Sequence, residues 1–274
     1  MRTEKPASIG MHLNEISTPA LLVDLDAFES NVRKLSQETA DFGVRLRPHA
    51  KTHKSPDVAR QQVAAGAVGC CCQTLAEAEA LVAGGISDVL VSNQVVGPEK
   101  IQRLATLAQS ATVGVCVDNE SNVEAISKAA ANAGSQIDVL VEVDIGMGRC
   151  GVAPGLPALK LAQQVQSQTN LNFDGIQAYH GGAQHIRDYE ERRQAISNAT
   201  RLATETRDLL KANGIECRTI AGAGTGTYPF EASSGIYNEL QAGSYVFMDA
   251  DYAKNLTESG DHYQHFSHSL YVLT

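Results

Sequence analysis

The sequence predicts an α/β protein built as a (β/α)8 barrel, and three observations carry that prediction. Eight short apolar segments recur along the chain, each followed by a helical pattern or a closing loop. They repeat about every 20–35 residues, and the total of 274 suits a fold whose usual size is roughly 250 residues. No Gly-x-Gly-x-x-Gly turn follows the first strand, which disfavours the alternative, an open doubly wound sheet.

Residues 20–24 read as the first strand, followed by a helix over 26–39 with Phe28, Val32 and Leu35 on one face. Residues 44–47 form the second strand, and Ser55 and Pro56 start a helix that carries Val58, Val63 and Ala64. The third strand covers 68–72, with a helix over 76–83. The fourth covers 88–91, with a helix through Ile101, Leu104 and Leu107. Residues 112–117 are the fifth strand, before a helix that starts near Asn119. Residues 137–143 are the sixth, before a helix over 156–165. The seventh covers 173–178, with a long polar helix through Tyr189 and on to Leu210, and the eighth covers 217–221. Beyond Ser244 the pattern changes. Tyr245-Val246-Phe247-Met248 and Leu270-Tyr271-Val272-Leu273 read as strands separated by a polar loop, and a chain ending on such a strand reads as cut short.

Composition excludes several function classes. The chain is 43% hydrophobic and 19% charged, as an ordinary globular protein is. A net charge of -9 argues against a nucleic-acid surface and mildly against anionic membranes. No apolar run approaches the ~20 residues of a membrane span. Residues 1–6 lack the apolar core of a signal peptide, so the expected location is cytoplasmic. Cys70, Cys71 and Cys72 are consecutive, and on a strand they alternate faces and cannot converge on one metal. They read as small buried residues in a reducing compartment.

In a parallel barrel the residues just past the strand ends face the chemistry. The densest such loop is Arg47-Pro48-His49-Ala50-Lys51-Thr52-His53-Lys54, which puts Lys51 between a strand and a helix start. A surface lysine explains any one of these cations, but less well Arg45 and Arg47 of the strand with two histidines and two lysines of the loop together. Gln73 follows the third strand and Arg149 the sixth, while Tyr179, His180 and His185 follow the seventh. The run Ala221-Gly222-Ala223-Gly224-Thr225-Gly226-Thr227 follows the eighth, either as a plain turn or as a phosphate cradle of N–H groups and hydroxyls. A lysine and a phosphate cradle together point to a phosphorylated cofactor that condenses with an amine, and pyridoxal 5'-phosphate fits. His49 either orients the lysine loop or acts directly, and His53 and Lys54 read as solvated or helix-start residues. In the series His262, His265 and His268 a metal site is disfavoured: His265 and His268 fall on opposite strand faces, with no carboxylate or cysteine partner beside them.

Thr18-Pro19-Ala20-Leu21-Leu22-Val23-Asp24, the Lys51 loop and Gly175-Ile176-Gln177-Ala178-Tyr179 resemble the D-threonine aldolase family. That family includes D-3-hydroxyaspartate aldolases and metal-activated D-serine dehydratases, within the alanine-racemase-like pyridoxal-phosphate enzymes. The stretch from Ser234 to Tyr252 resembles the D-3-hydroxyaspartate aldolase branch most. The resemblance implies an alanine-racemase N-terminal type of TIM barrel over residues 18–243. Residues 1–17 and 244–274 would then be segments of an incomplete C-terminal β-domain. It makes Lys51 the Schiff-base lysine. Thr225, Gly243 and Ser244 would hold the phosphate, with Tyr252 near it and Gln73 lining the cofactor. Arg149 would face the phenolic oxygen of the ring and Tyr179 its pyridine nitrogen. His185 would work with metal-bound water to take the proton of the substrate's 3-hydroxyl.

The reaction implied is retro-aldol cleavage of 3-hydroxyaspartate to glycine and glyoxylate, or of D-threonine to glycine and acetaldehyde. The alternatives are a dehydratase acting on D-serine or 3-hydroxyaspartate, and a cofactor-binding barrel without turnover. The family's divalent metal, of magnesium or manganese type, is expected to have its ligands outside this chain. The resemblance also implies a homodimer, with a small D-3-hydroxy amino acid as the partner and neither nucleic acid nor membrane.

Overall fold

A computed structural model describes residues 7–274; the stretch 1–6, read above for its lack of a signal core and counted in the segment 1–17, lies outside the described residues. Among the described residues, eighteen α-helices and strands follow one another. They run β1 (Ala20–Val23), α1 (Leu25–Asp41), β2 (Arg45–Leu46), α2 (Pro56–Ala64), β3 (Cys70–Cys72), α3 (Leu75–Ala83), β4 (Asp88–Gln94), α4 (Pro98–Leu107) and β5 (Thr112–Val117). Then come α5 (Glu120–Ala133), β6 (Ile137–Glu142), α6 (Leu156–Gln166), β7 (Leu171–Gln177), α7 (Tyr189–Ala212), β8 (Thr219–Gly222), α8 (Tyr228–Ala232), β9 (Glu239–Leu240) and β10 (Leu270–Leu273).

Eight parallel strands form one sheet in the order β2-β9-β8-β7-β6-β5-β4-β3. Its two ends meet, because Val68 N–H donates to Leu46 O and Cys71 N–H to Pro48 O, both at 2.9 Å. That closure makes the barrel. Helix starts are fixed by side chains the sequence places there: Asp24, Ser55, Thr74, Asn119 and Asp188 each accept a first-turn N–H.

One strand expected in the barrel lies outside it. Residues 20–24 were expected as its first strand, but β1 pairs antiparallel with β10 in a separate two-stranded sheet. The burial explains this: Leu21 is 70% and Val23 42% exposed, whereas strands of a parallel barrel are covered on both faces. The place is taken by β9, two residues long and easily missed. Its Glu239 is buried because Arg47 Nε donates to it at 2.9 Å, with Arg45 Nε 3.4 Å from its other oxygen. A second correction concerns residues 245–248, expected as a strand. They lie in and after a 3-10 turn, Ser244–Val246, with Ser244 O accepting from Phe247 N–H at 3.2 Å. Tyr245, Val246, Phe247 and Met248 are buried there, so their apolar run reflects burial and not strand pairing.

The cysteine reading holds in space. Cys71 joins Leu90, Cys116, Leu140 and Ala221 inside the barrel, while Cys70 and Cys72 face the helix layer, and all six cysteines are free. Gly175 marks the tightest backbone approach. Its φ is +152°, a Cβ there would lie 1.8 Å from Thr219 O, and the β6–β7 register slips between Val139 and Leu140.

Candidate active site

Lys51 sits in a 3-10 turn, Ala50–Thr52, directly past β2, on the C-terminal side of the barrel. His49 shapes that turn. Lys51 N–H donates to His49 Nδ1 at 3.3 Å, which leaves Nε2 as the protonated nitrogen, 3.1 Å from Ser92 Oγ. Burial first, and then the neighbouring Lys51 cation, hold His49 well below the ordinary imidazole range, so it is neutral. Lys51 as a residue is open to solvent, yet burial of its amine and then the Arg149 guanidinium lower its pKa. A lysine with a depressed pKa has the free amine that condensation with an aldehyde needs.

A small, partly open cavity lies above this turn. All eight residues expected to hold a cofactor line it: Lys51, Gln73, Arg149, Tyr179, Thr225, Gly243, Ser244 and Tyr252. Two cations stand near the Tyr179 ring, with Lys51 Nζ 6.0 Å and Arg149 Cζ 5.9 Å from its centroid. Arg149 is both a cavity residue and a paired one, since its Nη2 lies 3.6 Å from the buried Glu142 carboxylate. The loops after β8 and β9 also meet at this cavity. Gly243 has to be glycine: a Cβ would stand 2.8 Å from His49 O and 2.9 Å from Thr52 Oγ1. The N–H groups of Gly224, Thr225, Gly243 and Ser244 have no acceptor among the described residues. Thr225 Oγ1 is buried and accepts from Tyr245 N–H at 3.0 Å, which leaves its own proton free to donate.

His185 ends a 3-10 turn, Gly181–His185, and stands beside the cavity without lining it. Its ring stacks on Tyr252, with centroids 5.8 Å apart and planes 13° off parallel. Its Nδ1 is 2.7 Å from Asp251 Oδ2, and Arg187 donates to the other oxygen of the same carboxylate. These two bonds, Arg187 first, hold the Asp251 carboxyl below its ordinary range.

Several site residues escaped the sequence reading. Gln177 and Gln241 line the cavity and hold each other by reciprocal amide bonds of 2.7 and 2.9 Å. Gln177 ends β7, where the strand-end rule would have found it, but Gln241 follows β9, a strand the sequence does not announce. Thr52 and Ser92 line it too. The remaining histidines stay apart. His265, expected to lack a carboxylate, meets Glu38 of α1 at 2.7 Å, a partner distant in sequence. Among the described residues no group of three or more His, Cys, Asp or Glu side chains is placed to hold a metal ion. No helix among them is long and apolar enough to cross a membrane.

Residues 23–251 match the family described as "Alanine racemase, N-terminal domain". A D-threonine aldolase of Arthrobacter sp is 49% identical over 268 residues, covering 98% of this chain and 70% of that protein. A 3-hydroxy-D-aspartate aldolase of Paracoccus denitrificans (strain Pd 1222) is 45% identical over 273 residues, with 98% and 70% covered. The crystal structure of D-threonine aldolase from Filomicrobium marinum superposes with a TM-score of 0.95 at 47% identity, covering 98% of this chain and 72% of that one.

Proposed function

We propose, from the premise that this chain belongs to the alanine racemase N-terminal domain family together with the D-threonine aldolases, that it is a carbon–carbon lyase cleaving D-3-hydroxy amino acids to glycine and an aldehyde. For D-threonine the second product is acetaldehyde, and for D-3-hydroxyaspartate it is glyoxylate. One observation carries the reading: Lys51 and a set of unpaired N–H donors line one cavity, with a carboxylate-held histidine at its edge.

The residues present fit pyridoxal 5'-phosphate. Unpaired donors at Gly224, Thr225, Gly243 and Ser244 match a phosphate, and Lys51, lining the same cavity, matches its aldehyde. The bound cofactor supplies a ring that accepts the electron pair of the breaking Cα–Cβ bond. Lys51 would anchor it covalently; Thr225, Gly243 and Ser244 would hold its phosphate, with Tyr252 beside them. Gln73, Arg149 and Tyr179 line its ring.

Cleavage requires the proton of the substrate's 3-hydroxyl to leave as the Cα–Cβ bond breaks. His185 takes that proton at Nε2, because Nδ1 is turned to Asp251. The ionised Asp251 favours the Nδ1–H tautomer and stabilises the imidazolium that forms, while Arg187 holds Asp251 in place. The described residues do not fit the divalent metal that the resemblance implies, so no step is assigned to one.

The test is product analysis of the chain loaded with pyridoxal 5'-phosphate, with and without divalent metal, on D-threonine and D-3-hydroxyaspartate. Glycine with an equimolar aldehyde supports the lyase. Ammonia with an oxo acid and no glycine overturns it in favour of a dehydratase.

A further inference from the structure

The phosphate end of the cavity and the His185 end belong to different βα units, yet one buried side chain joins them. Gln184, fully buried, directly precedes His185 in its turn. Its amide points under the loop after β8. Oε1 accepts from Gly226 N–H at 3.0 Å, and Nε2 donates to Thr227 Oγ1 at 2.7 Å. Thr227 Oγ1 in turn donates a hydrogen bond to Glu231 Oε1 at 2.8 Å. Both amide atoms are therefore committed to the loop that carries Thr225, and flipping the amide would break both bonds.

The loop is shaped to receive this amide. A Cβ on Gly224 would stand 2.5 Å from Gln184 Oε1, and one on Gly226 would stand 3.0 Å from Gln184 O. On its other side the turn is bolted to the chain that follows the barrel. Asn255 Nδ2 donates to Gln184 O at 3.0 Å, and Asn255 Oδ1 accepts from Arg187 at 2.7 Å. Arg187 in turn grips Asp251, the partner of His185. Every link from the Gly226 N–H to the His185 ring is a backbone or hydrogen-bonded connection.

We propose that Gln184 is a positioning residue that couples occupancy of the phosphate end to the placement of His185. The proposal rests on the reading of the loop after β8 as the phosphate site. Filling that loop with an anion draws its N–H groups inward. Through Oε1 and Nε2 of Gln184 the turn ending in His185 follows, so the base is aligned when the cofactor is seated.

The experiment follows the His185 ring resonance by NMR on the full chain, assigned by its loss in His185→Asn. Inorganic phosphate is titrated in the first arm and pyridoxal 5'-phosphate in the second, with binding measured in parallel by calorimetry. In the wild type both probes shift the resonance. In Gln184→Met, similar in length but with neither bond, phosphate still binds, the shift collapses, and pyridoxal 5'-phosphate binds about tenfold more weakly. Thr227→Val removes one of the two bonds and gives a partial loss; Thr227→Ser keeps the hydroxyl and restores the shift. A shift of equal size in wild type, Gln184→Met and Thr227→Val overturns the coupling while leaving the cofactor site standing. Failure of both probes to bind the wild type overturns the site reading and this proposal with it.

Discussion

His185 Nδ1 lies 2.7 Å from Asp251 Oδ2, and Arg187 occupies the other oxygen of that carboxylate. An imidazole held this way has a fixed tautomer, and the nitrogen left for chemistry is Nε2. Replacing Asp251 with Asn keeps the shape but allows the opposite tautomer. Asp251→Asn is expected to lower kcat for glycine release from D-threonine by about 100-fold or more, the usual contribution of a positioned base. Absorbance of the bound cofactor stays unchanged. Unaltered kcat would show that His185 is not the base.

Arg149 is the largest charge lowering the Lys51 pKa after burial itself. Removing that charge raises the pKa, so less amine is free at neutral pH. In Arg149→Gln the rate of cofactor attachment to the apo protein is expected to need a higher pH to reach its plateau. The check is the stopped-flow rate of the absorbance change on adding pyridoxal 5'-phosphate, measured across pH. An unmoved midpoint would remove Arg149 from this role.

Glu231 is buried with Oε2 unpaired, and burial pushes its carboxyl up from 4.5 to about 7. The native state therefore keeps a proton that the unfolded chain has released. Stability from this group is full below about pH 4.5 and is lost as pH rises through about 7, a difference of about 3 kcal/mol. Glu231→Gln retains an acceptor for Thr227 and cannot ionise. Urea unfolding at pH 5 and pH 8 is expected to show the variant gaining on the wild type by about 2 to 3 kcal/mol over that interval. A gap independent of pH would contradict the assignment.

Gly243 packs against His49 and Thr52 with no room for a side chain, at the part of the cavity proposed to take the phosphate. Gly243→Ala forces those loops apart and displaces an N–H donor. Its dissociation constant for pyridoxal 5'-phosphate is expected to rise at least about tenfold, the equivalent of losing one hydrogen bond to a charged group. Unfolding free energy measured alongside separates this from general damage.

The barrel was legible in the sequence because alternating strands and capped helices leave periodic signatures, and the strand-end rule located Lys51, Gln73, Arg149 and Tyr179. What escaped had no local signature. The exchange of Ala20–Val23 for Glu239–Leu240 depends on the ion pairs of Glu239 with Arg45 and Arg47, which lie far away in sequence. Gln184 and Asn255 read as ordinary loop amides until their buried partners are seen. His265 likewise finds Glu38 only once α1 packs beneath the segment after the barrel. Motifs mark where chemistry sits, whereas the polar bonds that hold it rigid are set by tertiary packing.

The account stands or falls on the Lys51 amine. Borohydride reduction of the pyridoxal-phosphate-loaded chain, followed by proteolysis and mass spectrometry, should place the added cofactor mass on the Lys51 side chain. Mass on Lys54 or another lysine with Lys51 unmodified, or no modified peptide after saturation, would contradict it.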